Sequence, residues 1–114
     1  MSELTTTGTW IVEPSKEVAF VDAWARFAEW ASARPGATTL RLTHDPADER
    51  RFVSFAAWDS AEAVQAWRAD PEFEEHMAQI LQHVDDFHSE QLVVVAAASN
   101  GNKSIELAAR NRTA

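Results

Sequence analysis

Residues 51–76 read RFVSFAAWDSAEAVQAWRADPEFEEH. The first eight, RFVSFAAW, are rich in β-branched and aromatic residues and read as a strand. Asp59 with Glu62 has the form of a capping box, which predicts a short helix over 60–69 with Val64 and Trp67 on its apolar side. Asp70 and Pro71 interrupt that helix and open another. Aspartate suits an N-cap, proline the first helical position, and Glu72, Glu74 and Glu75 the positive end of the helix dipole. This second helix is expected to run to about residue 84.

Strand, helix, break and helix in that order call for partners on both sides. Upstream, TTGTWIVE (6–13) reads as a strand that Pro14 ends. Ser15 is the expected N-cap of a helix over 16–33, with Phe20, Trp24, Phe27, Ala28 and Ala31 recurring at three-and-four spacing. Pro35 stops it, since the residue before proline avoids the α region. ATTLRLTH (37–44) is a strand, joined by the turn DPADER to the one at 51–58 as a hairpin. Downstream, QLVVVAAA is apolar without alternation, which predicts a last strand covered on both faces.

The resulting order is strand, helix, strand, strand, helix pair, strand. It predicts an α+β fold, a ferredoxin-like split β-α-β sandwich whose four-stranded antiparallel sheet has helices on one face only. Residues 1–98 form this domain and 99–114 a polar, flexible tail. The expectation for the uncovered sheet face is that it carries Trp10, Phe52, Trp58 and alternate residues of VVVAA. Monomers rarely leave so much apolar area in water, so two sheets should pack together in a homodimer, a dimeric α+β barrel.

Composition narrows the partners. The chain has 114 residues, 46% hydrophobic and 25% charged, with a formal net charge of -8, as expected of one globular domain. Its last sixteen residues hold three basic and one acidic, leaving residues 1–98 near -10. Such a surface repels nucleic acid and anionic membrane. Cysteine is absent, which removes thiol nucleophiles and thiolate metal sites. The N-terminus lacks a signal-peptide pattern and no apolar run reaches ~18 residues, so the expected location is the cytoplasm.

Candidate chemistry gathers on the helix starting at Pro71. Its inward stripe holds Phe73, Met77, Ile80 and one polar residue, His76. Trp67 projects from the preceding helix, Trp24 and Phe27 from the first helix, and Thr7, Thr9 and Ile11 from one face of the first strand. His76 has two readings: a core histidine satisfied by a carbonyl or by Glu72, or one wall of a pocket for a flat aromatic molecule. His83 lies about 10 Å from His76 along the helix, too far to share a metal. His44 and His88 sit near strand ends, where solvation is expected. No metal-protease, P-loop, EF-hand or dinucleotide motif occurs, so no metal site is expected. Tyrosine is absent as well.

ARPGATTLRL, RFVSFAAWDSAEAVQAW and ADPEFEEH are similar to the antibiotic biosynthesis monooxygenase family, with the resemblance spanning residues 9–97. It implies a dimeric α+β barrel. It also implies oxygenation of a small aromatic or phenolic substrate by O2 with no cofactor, His76 and Trp67 being catalytic and Thr9, Ile11, Trp24, Phe27, Phe73, Met77 and Ile80 lining the substrate site. A second branch of that resemblance degrades haem, with His76 as axial ligand and Trp67 beside the ring. That branch carries an asparagine on the first strand, where this chain has Thr9. A third reading is a non-enzymatic dimer that binds a small ligand.

Overall fold

The computed structural model describes residues 2–99 and 102–106. The elements are β1 (Leu4–Ile11), a 3-10 turn (Pro14–Lys16), α1 (Glu17–Ser32), β2 (Ala37–His44), β3 (Arg51–Trp58), α2 (Ala61–Ala69), α3 (Pro71–Leu81) and β4 (Asp86–Val93), then β5 (Ala97–Ser99) and β6 (Asn102–Glu106). β1 to β4 form one antiparallel sheet in the order β2-β3-β1-β4. This is the ferredoxin-like α+β arrangement the element order predicts. Among the described residues no helix is long and apolar enough to cross a membrane.

Local chemistry sets the helix starts, in two cases one residue away from the expectation. Ser15 makes no capping bond; the Pro14–Lys16 turn leads directly into α1. The cap of α2 is Ser60 rather than Asp59, its hydroxyl accepting from the Ala63 N–H at 3.1 Å. The Asp59 N–H instead donates to the Gly36 carbonyl at 3.0 Å, tying the end of β3 to the turn before β2. Gly36 has φ 87, and a Cβ there would stand 2.5 Å from that of Ala63. Only glycine fits so close a left-handed turn. Asp70 caps α3 as expected, accepting from the Glu72 N–H at 2.9 Å.

α1 buries Phe20, Ala23, Trp24, Phe27 and Ala31, one face of a 3.6-residue period. Each large side chain among them contributes about 1.5–3 kcal/mol by leaving water. They meet the even-numbered residues of the sheet: Leu4, Thr6, Gly8 and Trp10 of β1 against Phe52, Ser54, Ala56 and Trp58 of β3. Trp10, Phe52 and Trp58 therefore lie beneath the helices, 2%, 3% and 1% exposed, and the expectation that they face outward is corrected. Both indoles are anchored to the sheet, Trp10 Nε1 donating to Ser54 Oγ at 3.0 Å and Trp58 Nε1 to Thr6 Oγ1 at 3.2 Å. Gly8 makes room for the first of these, because a Cβ there would come within 2.9 Å of Trp10 Nε1.

The uncovered face is accordingly less aromatic than expected. Its rows across the sheet run Leu92, Thr5, Ala57; Glu90, Thr7, Phe55; His88, Thr9, Val53; and Asp86, Ile11, Arg51. The last strand also departs from the two-sided burial predicted for QLVVVAAA. β4 begins at Asp86, and Leu92, Val93 and Val95 are 47%, 43% and 44% exposed. As the outermost strand of the sheet, β4 has a neighbour on one side only. The flexible tail expected over 99–114 falls largely outside the described residues; within it, Asn102–Glu106 pairs with Ala97–Ser99 as a separate two-stranded sheet.

Candidate functional site

Between the helix-covered face of the sheet and the three helices lies a cavity of about 290 Å³, near the lower end of the range for small-molecule sites, ~300–1,000 Å³. The sheet supplies Thr6, Thr7, Gly8, Trp10, Leu40, Ser54, Phe55, Ala56 and Phe87, Thr7 and Phe55 reaching it although their side chains alternate toward the uncovered face. The helices supply Trp24 and Phe27 from α1, Trp67 and Arg68 from α2, and Phe73 and Met77 from α3. Phe27, Trp67 and Phe73 form the aromatic end, with ring centroids 5.8 Å apart for the first two and 4.9 Å for the last two. Arg68 and Ser89 are exposed and stand where the cavity meets solvent.

Several polar groups of this wall are engaged, Thr6 Oγ1 accepting from Trp58 Nε1. Those of Trp10 and Ser54 are bonded to one another. The indole N–H groups of Trp24 and Trp67 are buried and have no acceptor. A buried donor without a partner costs about 1–3 kcal/mol, and most such donors in folded proteins are satisfied by protein, water or ligand. Both N–H groups belong to residues that line one largely apolar cavity. Neither N–H is exposed on the cavity surface, so a ligand oxygen reaches it only if the ring moves. Trp24 also borders a shallower groove with Val21, Leu42, His44 and Phe52.

The sequence-predicted site residues divide cleanly. Trp24, Phe27, Trp67, Phe73 and Met77 come together in the cavity wall. Ile80 is fully buried in the core but does not reach the wall. Thr9 and Ile11 lie on the uncovered face, across β1 from Trp10 and Thr6, because side chains alternate along a strand. His76 is half-buried outside the cavity wall. Its ring stacks on Trp30 with centroids 5.0 Å apart, and Phe27 lies 6.0 Å away. On the same Trp30, the Arg34 guanidinium sits 5.2 Å from the ring centroid and reaches 3.7 Å to Asp70. His76 and Trp30 thus join α3 to α1 through a contact between two rings.

Sequence reasoning missed Arg68, Ser54 and Leu40. Arg68 directly follows Trp67, and no periodicity distinguishes it from a solvated helix residue. His44 and His88 are exposed, as their positions predict. Among the described residues no three His, Cys, Asp or Glu side chains are grouped to hold a metal ion. Haem does not fit the residues present: the histidine that would bind its iron lies outside the cavity, and Thr9 lies on the opposite side of the sheet.

Sheet order and helix-covered cavity define a ferredoxin-like α+β protein with an aromatic-lined cavity open to solvent on one side. The chain belongs to the antibiotic biosynthesis monooxygenase family, whose model matches residues 5–79. Among similar solved structures is SnoaB from Streptomyces nogalater, a cofactor-independent oxygenase, 21% identical with TM-score 0.72, covering 88% of this chain and 98% of its own. Rv0793 from Mycobacterium tuberculosis is 18% identical with TM-score 0.76, over 86% of this chain and 100% of its own. SO0527 from Shewanella oneidensis is 16% identical with TM-score 0.73, over 82% and 91%. At these identities the likeness is one of fold. Comparison with curated proteins gives no match.

Proposed function

We propose that the protein is a cofactor-independent monooxygenase that holds a small two- or three-ring hydroxyaromatic in the cavity and lets it react with O2. The observation that carries this reading is the pair of buried, unpartnered indole N–H groups, Trp24 and Trp67, in a wall that is mostly apolar and aromatic. Each would donate to a substrate oxygen. As the phenol becomes a phenolate these bonds become charge-assisted and strengthen roughly twofold. The ionised ring is electron-rich enough to reduce O2 directly. For an anthrone-type substrate the ring CH2 becomes C=O, the second oxygen atom leaves as water, and all four electrons come from the substrate. The protein binds, orients and excludes water. Family membership and the fold shared with SnoaB support this reading.

His76 is proposed to act on this site through packing. Its stacking on Trp30, and the 6.0 Å to Phe27, position the aromatic end of the wall. The uncovered sheet face, with Ile11, Val53, Phe55 and Leu92 among threonines, is proposed to pair with a second copy, completing a dimeric barrel. Sedimentation should then give a mass near twice 12.7 kDa, and Val53→Asp should halve it.

The test of function is O2 uptake with a panel of anthrones and naphthols. Consumption faster than the uncatalysed rate, and reduced by about 10² or more in Trp67→Phe, is the expected result. Equal rates with and without protein across the panel would overturn the oxygenase reading and leave a binding protein.

A further inference from the structure

We infer that the cavity takes its aromatic ligand as an anion, a phenolate or an aryl carboxylate, with the Arg68 guanidinium at the mouth as countercharge; this rests on the binding reading above. Arg68 is the only ionisable side chain among the described residues lining the cavity, and it is exposed to solvent. Its Cζ lies 5.9 Å from the centroid of the Trp67 ring. The charge therefore stands beside an indole whose own N–H has no acceptor.

Elsewhere the arginines are largely engaged. Arg26, Arg34, Arg50 and Arg51 each face an aspartate. Among the described residues no carboxylate stands within ion-pairing reach of Arg68. The chain carries a net charge of -8, so most of its surface turns anions away, and a free cation at the rim of an apolar cavity is where one would be drawn in. A cation in the last turn of α2 also complements the helix dipole. That accounts for the residue type, not for its missing partner or its place in the wall. Guanidinium suits the task because it stays charged at all working pH values, lies flat on aromatic faces and is only weakly hydrated.

The rest of the wall points the same way. It holds no carboxylate and no imidazole among the described residues, so a phenol entering in its neutral form would find no side chain inside to take its proton. A ligand that arrives ionised, or that gives its proton to water at the mouth, needs none. The favoured ligands are acidic hydroxyaromatics and aryl carboxylates.

4-Nitrophenol is a suitable probe: it titrates near neutral pH, and its anion is yellow. With saturating protein at low salt, the wild type should lower the probe's titration midpoint by about one pH unit, on the order of tenfold preference for the anion. The shift should shrink as salt is added. Arg68→Gln should remove most of the shift and all of its salt dependence, leaving only what the indole N–H donors contribute, while keeping the neutral form's affinity within about twofold, and Arg68→Lys should retain more of it. Arg41→Gln, on the uncovered face and exposed, should keep all of it. Far-UV circular dichroism confirms that each variant is folded. No shift in the wild type, or an undiminished shift in Arg68→Gln, overturns the anion inference while leaving the cavity reading intact. Failure of both the probe and 1-naphthol to bind at any pH overturns the two together.

Discussion

Trp58 and Trp67 offer the same side chain in the same core, 4.6 Å apart between ring centroids, with opposite hydrogen-bond states. The Trp58 N–H donates to Thr6 Oγ1 at 3.2 Å, whereas the Trp67 N–H has no acceptor. Replacing either by phenylalanine removes about 40 Å³ of ring, worth about 1 kcal/mol of cavity cost at ~24 cal/mol per Å³. Trp58→Phe also loses a hydrogen bond, for a total near 2 kcal/mol. Trp67→Phe instead relieves an unpaired buried donor, a gain of about 1–3 kcal/mol that cancels or exceeds the cavity cost. The two variants should therefore differ by about 2–4 kcal/mol in urea unfolding followed by far-UV circular dichroism, or roughly 8–16 °C in Tm. Affinity for a hydroxyaromatic should reverse the order. Trp67→Phe should bind about 10- to 100-fold more weakly, while Trp58→Phe, outside the cavity wall, should bind as the wild type does. Equal destabilisation in the two variants would mean that the Trp67 donor is satisfied in the unliganded protein, and the argument for a ligand oxygen beside it would fall.

Three further outcomes follow from local chemistry. Gly36→Ala should destabilise by about 1–3 kcal/mol from the positive φ alone, and by more once its Cβ meets that of Ala63; thermal unfolding measures it. Asp70→Ala should cost about 1–2 kcal/mol by removing the α3 cap, whereas Asp70→Asn should cost less than about 0.5 kcal/mol, because asparagine still caps and the partly exposed pair with Arg34 is weak. The Ala47 backbone N–H and then the Arg51 guanidinium hold the Asp45 carboxyl below its usual pKa, against a smaller upward push from burial. Because the folded pKa is the lower one, its stabilisation is present above the ordinary value, about 3.9, and is lost as pH falls through the folded value. Asp45→Asn should flatten that part of the acid limb, and an NMR titration placing Asp45 at or above the ordinary value would contradict the assignment.

The sequence alone determined the element order and most element boundaries, because those depend on interactions within a few residues. Pro14, Asp70–Pro71 and the DPADER turn punctuate the chain wherever they sit, and the spacing of Phe20, Trp24 and Phe27 marks one helix face in any context. It also determined, through the resemblance carried by stretches within residues 33–76, which family the chain belongs to. The direction in which the sheet faces was decided by tertiary structure. Strand alternation has two equivalent parities, and in TTTGTWI both are plausible; the choice of Trp10 over Thr9 and Ile11 for the inside came from Gly8, Ser54 and Thr6, which arrive from two strands to make space and accept the indole protons. The same holds at the cavity. Trp67 and His76 lie nine positions apart across a proline break, and only the packing of α3 on α1 placed one in the wall and the other against Trp30. Arg68 became visible last, since an unpaired charge is defined by what does not reach it, and distances between elements exist only in the folded chain.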